Sequence, residues 1–148
     1  MFAGALSATT LIAQTVPPAP PQQATPAKSP YMFTGDAAIT LNFIKADKTA
    51  DFEMIVGKLK EALENSAKPE RVQQAASWKV YKAAEPAPNG SAIYLFVIDP
   101  VVKGSDYTVS TILSEGFPQD VQPLLKTFAA TYVSQNIVNL KLVSDLGQ

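Results

Sequence analysis

The stretch Ser91–Asp99 (SAIYLFVID) constrains the fold of this chain more than any other. In an extended backbone Ile93, Leu95 and Val97 fall on one side and Tyr94, Phe96 and Ile98 on the other. A strand with one wet face alternates apolar with polar residues, and this one does not. It is therefore expected to be central in a sheet and covered on both sides. Asp99-Pro100 ends it, because proline has no N–H to give to a ladder. Just upstream, Ser77–Ala84 (SWKVYKAA) alternates Trp78 and Val80 with Lys79 and Tyr81. Between the two strands lies Glu85–Gly90, whose Asn89-Gly90 pair tolerates positive φ and signals a hairpin.

The rest of the globular region fits around this hairpin. Ala37–Ala46 reads as a strand, with Ile39, Leu41 and Phe43 opposite Thr40, Asn42 and Ile44. In Thr49–Ser66, Phe52, Ile55, Val56, Leu59, Ala62 and Leu63 recur at helical spacing, and Pro69 ends or follows that helix. Tyr107, Val109, Ile112 and Leu113 fit a short helix within Ser105–Phe117. A further helix is expected over Asp120–Ser134, where Pro123 is tolerable only in the first turn. Asn136–Val143 reads as the last strand, and Ser144–Gln148 as a loose end. The order β-α-β-β-α-β predicts an α+β, ferredoxin-like domain with a four-stranded antiparallel sheet and helices on one face. Alternation places Ile39, Leu41, Phe43, Trp78, Val80, Ile93, Leu95, Val97, Val138, Leu140 and Leu142 under the helices. It leaves Thr40, Asn42, Lys79, Tyr81, Tyr94, Phe96, Ile98, Asn139 and Lys141 on the open face. A shift of one residue would invert the assignment.

This domain is expected over residues 37–144 of the 148. Residues 1–13 include the uncharged, small-residue run Phe2–Ala13, which is too short to span a bilayer and matches a signal-peptide h-region with Ala13 as the cleavage residue. Residues 14–36, rich in Pro, Gln and Ala, read as a linker. Together they suggest a bacterial protein exported to the periplasm or the medium, with no transmembrane span once mature.

Composition mainly excludes. The chain has neither His nor Cys, so a disulfide framework, a thiolate nucleophile, a zinc finger, a His-ligated haem and a Ser-His-Asp triad are all out of reach. No metal site and no cofactor is expected. Twelve basic and thirteen acidic side chains give a net charge of −1 with no like-charge block, which speaks against a nucleic-acid footprint. RNA-recognition domains share the strand–helix order and carry aromatics on the open sheet, as Tyr94 and Phe96 would be. Their basic-Gly-aromatic pattern is absent, and nucleic acid is not expected as a partner.

An open face with Tyr81, Tyr94, Phe96 and Ile98 is too apolar to leave in water. A second copy, a ligand or the N-terminal linker would each cover it, and a two-fold axis that buries one patch twice is the commonest solution. With its strand–helix order, SWKVYK before a hairpin and the aromatic-rich YLFVID, the chain over Ala37–Val143 resembles the dimeric α/β-barrel superfamily, which includes antibiotic-biosynthesis monooxygenase-like and stress-responsive barrel proteins. SWKVYK, IDPVVKG and YTVSTILSEGFP are also similar to stretches of exported bacterial proteins that carry no assigned activity. The resemblance implies a homodimer with a binding or structural role, whose inter-sheet cavity would be the place for a small apolar or aromatic ligand. It also implies an alternative, a cofactor-independent, monooxygenase-like enzyme acting on a small aromatic substrate. The superfamily's haem chemistry generally uses a His ligand, which this chain lacks.

Asn42, Tyr81, Tyr94 and Phe96 are the candidate ligand-binding residues, and no catalytic residue is assigned. Asn42, if buried, needs partners, with Asn139 or Lys141 across the sheet as candidates. Asp99 and Asp106 flank IDPVVKGSD, where they read more simply as a strand end and a helix cap. Lys103-Gly104-Ser105 and Gly57-Lys58-Leu59 lack the length of a phosphate-binding loop. Asn89-Gly90-Ser91 matches a glycosylation sequon but reads as a turn. The single Trp78 reads as core.

Overall fold

The structure is a computed structural model that describes residues 28–148. The expected h-region and most of the expected linker lie outside the described residues. The elements are β1 (Ala37–Ile44), α1 (Thr49–Glu64), α2 (Pro69–Ser77), β2 (Trp78–Lys82), β3 (Ala92–Ile98), α3 (Val109–Gly116), α4 (Val121–Thr131) and β4 (Tyr132–Leu140). The four strands form one antiparallel sheet in the order β2-β3-β1-β4, so β3 and β1 are central. The fold is α+β and consistent with a ferredoxin-like plan. No helix among the described residues is long and apolar enough to cross a membrane.

Two elements differ from the sequence expectation. Residues after Pro69 form α2 rather than a connection: Pro69 opens it, where its missing N–H costs nothing. At the other end, α4 stops at Thr131 and β4 starts at Tyr132, earlier than Asn136. The aromatic and β-branched pair Tyr132-Val133 suits an extended backbone, and Lys45 N donates to Thr131 O at 2.9 Å where the chain joins the sheet. Pro123 lies in the first turn of α4, as it must.

The sheet faces are reversed from the sequence reading over three strands. Ala38, Thr40, Asn42 and Ile44 of β1 and Tyr94, Phe96 and Ile98 of β3 are buried beneath the helices. Ile39, Leu41, Phe43, Ile93, Leu95 and Val97 point the other way and are half-buried, with the exposed Val138 and Leu140 beside them. Trp78 and Val80 do face the helices, opposite Ile98 and Phe96, while Lys79 and Tyr81 lie on the open side opposite Val97 and Leu95. Leu142 lies beyond β4 and is exposed. The reversal has a physical cause. Both faces of β3 are apolar, so alternation does not choose between them, and volume does. The Phe52 ring of α1 meets Tyr94 at 4.7 Å and Phe96 at 6.0 Å, and Trp78 meets Phe96 edge-on at 5.4 Å. On β3 the large rings fill the wedge between sheet and helices and leave the shorter aliphatic Ile93, Leu95 and Val97 outside.

The packed region begins before Ala37. Phe33 is buried with Ala38, Ile98, Val101 and Tyr107, and its ring lies 5.2 Å from that of Tyr107. Tyr107 N donates to Tyr31 O at 3.0 Å, Asp36 N to Leu140 O at 2.8 Å and Val101 N to Asp36 O at 2.9 Å. Residues 29–36 thus form a strap that joins the β3–α3 loop to the end of β4. Where the strap crosses β4, a Cβ on Gly35 would collide with the Leu140 carbonyl, so this approach requires glycine.

Candidate functional site

The buried polar centre of the sheet is Asn42. Its Nδ2 donates to Thr40 Oγ1 at 3.2 Å, to Thr40 O at 3.3 Å and to Tyr94 O at 3.1 Å. Its Oδ1 accepts from Gln135 Nε2 at 2.7 Å and from the Tyr132 hydroxyl at 3.0 Å. The neighbours come from β4 because Asn42 pairs with Gln135 in the β1–β4 register. Asn139 instead accepts from Thr34 N at 3.2 Å, and Lys141 lies beyond the strand. Gln135 Oε1 in turn accepts from the Tyr31 hydroxyl at 2.6 Å. A relay therefore runs from the strap, through β4, to the middle of the sheet. Burial pushes the Tyr132 phenol well above its ordinary pKa, with the neighbouring Tyr31 adding to the rise.

This relay floors a cavity of about 220 Å³ between the sheet, the strap and helices α3 and α4, lined by Tyr31, Thr108, Val109, Ser110, Phe128, Tyr132 and Gln135. Inward it approaches a crevice of about 10 Å³ shared by Tyr31, Thr40, Trp78, Phe96, Tyr107 and Gln135, among others. The cavity walls carry no carboxylate, ammonium or guanidinium group. Among the described residues Trp78 Nε1 is the one buried side-chain polar atom without a hydrogen-bond partner. Trp78 lines the crevice and also a separate, largely apolar cavity of about 290 Å³ formed by α1, Ala75 of α2 and Val80 of β2.

The four sequence candidates do not form one site. Asn42, Tyr94 and Phe96 are on the helix side, while Tyr81 is on the open face and 52% exposed. Tyr94 and Phe96 pack into the core around Phe52. The Tyr94 hydroxyl reaches the rim and donates to Glu53 Oε1 at 2.6 Å, an atom that also accepts from Lys82 Nζ at 3.0 Å. The Tyr94 bond, then Lys82, hold the Glu53 carboxyl below its usual range, and burial first, then Glu53, raises the Tyr94 phenol. Sequence reasoning missed Gln135 and Tyr132 as partners of Asn42, and Tyr31 as the partner of Gln135. The signal available was that a polar residue at a central strand position requires partners in register on the adjacent strand.

A second polar cluster fixes the loop beside the cavity. Arg71 of α2, 5% exposed, donates through Nε and Nη2 to the two carboxylate oxygens of Glu115 at 3.0 and 3.1 Å. Its Nη1 donates to Gln74 Oε1 at 2.8 Å and to Asp106 O, and Gln74 Nε2 reaches the same carbonyl at 3.1 Å. Asp106 Oδ1 accepts from Thr108 N at 3.0 Å, Thr108 Oγ1 at 2.6 Å and Ser29 Oγ at 3.1 Å. The Arg71 hydrogen bonds lower the Glu115 pKa to about 2. Asp106 thus ties the strap to the start of α3, and Asp99 is an exposed strand end. Neither residue faces a cluster able to hold a metal ion, and no such cluster occurs among the described residues.

Comparison with protein-family models, with curated proteins and with solved structures finds no match for the chain.

Proposed function

We propose that the chain is an exported binding module that works as a homodimer, its open sheet faces packed against each other, and that it takes a small apolar or aromatic ligand. The observation that carries this reading is the composition of the open face. Ile39, Leu41, Phe43, Ile93, Leu95, Val97, Val138 and Leu140 share it, and its only charge among the strand residues is Lys79 on the edge strand β2. Two central strands carry unbroken apolar rows there, a surface that a monomer leaves wet at a cost of roughly 25 cal/mol per Å². A two-fold axis would bury the row twice with one surface.

The occupant that favours itself is a second copy. A second copy presents the same apolar rows and the same spacing, whereas the described strap is held on the helix side, Ser29 being bonded to Asp106 and Thr108. Export rests on the run Phe2–Ala13 and its Pro-rich continuation. The alternative, a cofactor-independent monooxygenase-like enzyme, needs a group that exchanges a proton near neutral pH. The cavity walls offer only phenols, hydroxyls and an amide, which supports binding over proton transfer.

Native mass spectrometry of the full chain tests the reading. The expected result is a species of twice the chain's 15.8 kDa. A single-chain mass at every concentration would overturn the dimer.

A further inference from the structure

We propose that the ligand site lies within each protomer, on the helix side, in the cavity walled by Tyr31, Val109, Ser110, Phe128, Tyr132 and Gln135, and that it takes a small, neutral, planar molecule carrying a hydrogen-bond acceptor. This rests on the binding-module reading but not on the dimer, since no residue of the open face contributes to the cavity.

The size follows from the volume. About 220 Å³ lies below the roughly 300 Å³ at which pockets for drug-sized ligands begin, so the space suits one or two fused rings. Planarity follows from the walls. Phe128 and Tyr132 pack edge-on against each other at 5.0 Å and 89°, and together with Tyr31 of the strap they give the space an aromatic lining on which a flat ring can stack. A neutral ligand is favoured by the lining, which offers an ion no counter-charge.

The polar preference follows from the hydrogen-bond inventory. Gln135 spends one Nε2 proton on Asn42 Oδ1, and its Oε1 accepts from Tyr31. Its second amide proton has no partner among the described residues, and neither has the Ser110 hydroxyl. Two free donors on adjoining walls favour a carbonyl oxygen. Because Tyr31 is both a wall and a relay member, binding in this cavity is tied to docking of the strap.

The test is two-dimensional NMR of the full chain titrated with acetophenone, with benzoate and ethylbenzene as matched probes. Benzoate adds a charge, and ethylbenzene removes the acceptor. Acetophenone is expected to give saturable shifts at the Gln135 side-chain amide and at Val109 and Ser110. Benzoate and ethylbenzene should each bind at least about fivefold more weakly, the value of one hydrogen bond. Ser110→Ala, which removes no protein–protein bond of that side chain, should weaken acetophenone about fivefold and leave ethylbenzene unchanged. Absence of saturable shifts at these positions, equal affinity for all three probes, or shifts confined to the open face would overturn the proposal. Sedimentation of the same sample separates the two readings. A dimer without cavity shifts removes only this site, and cavity shifts in a monomer remove only the dimer.

Discussion

Gln135 and Asn42 face each other across β4 and β1, and the Gln135 Nε2 proton is donated to Asn42 Oδ1 at 2.7 Å. Asn42 is fully buried and uses both ends of its amide, so the pair is part of the core rather than a surface contact. Asn42→Leu leaves the partly buried Gln135 amide and Tyr132 hydroxyl without their acceptor. The expected cost is about 2–3 kcal/mol, read as a lower urea midpoint at unchanged slope. Tyr132→Phe, which removes one donor and leaves Gln135 in place, should cost about 1 kcal/mol. Equal stability of Asn42→Leu and the wild type would show that the relay does not hold the strands.

The Arg71–Glu115 pair predicts a specific acid sensitivity. The Glu115 pKa is about 2 in the folded chain against an ordinary 4.5, so the folded state favours the carboxylate. The stability gained is fully present above about 4.5 and is lost as pH falls toward about 2. Glu115→Gln should therefore be less stable than wild type at pH 7, and the gap should narrow as pH falls from about 4.5 toward 2. Urea midpoints at pH 7, 4 and 2.5 check it. A gap that stays constant with pH would assign the loss to packing instead.

Helices α1 and α3 meet at Gly116, where an added Cβ would sit 2.5 Å from Ala62 Cβ. Gly116→Ala must push the helices apart, with an expected loss of about 1–3 kcal/mol. Adding Ala62→Gly should return part of it, because the clash is between these two positions. Thermal unfolding of the two single variants and the double variant gives the coupling directly. An unaffected melting temperature in Gly116→Ala would mean that the contact relaxes freely.

The element order was legible because each element carries its own period: Phe52 to Leu63 at helical spacing, and Ser91–Asp99 as an extended apolar run. The existence of α2 was not, since PERVQQAAS has few apolar residues and is held by Arg71 and Gln74, whose partners lie far along the chain. Which face of the sheet turns inward was also beyond local pattern. Alternation is silent where both faces of β3 are apolar, and on β1 it misleads. Thr40 and Asn42 read as wet positions, yet they are buried because Tyr94 O, Gln135 and Tyr132 satisfy Asn42. The strap escaped notice for the same reason: Tyr31 and Phe33 follow a Pro-rich stretch, and what docks them is Tyr107 and Gln135, more than 70 residues away.

The reversed faces change what a charge does at each position. Tyr94→Asp would place a carboxylate beside Phe52 under the helices and should unfold the domain. Leu41→Asp would place it on the open face, where a monomer tolerates it. The most direct measurement of the central claim is therefore sedimentation velocity on the full-length wild type and on Leu41→Asp at matched concentrations, with circular dichroism of both. The account predicts a dimeric wild type and a folded, monomeric Leu41→Asp. A wild type that sediments as a single chain at every concentration, or a Leu41→Asp variant that remains dimeric, would contradict it.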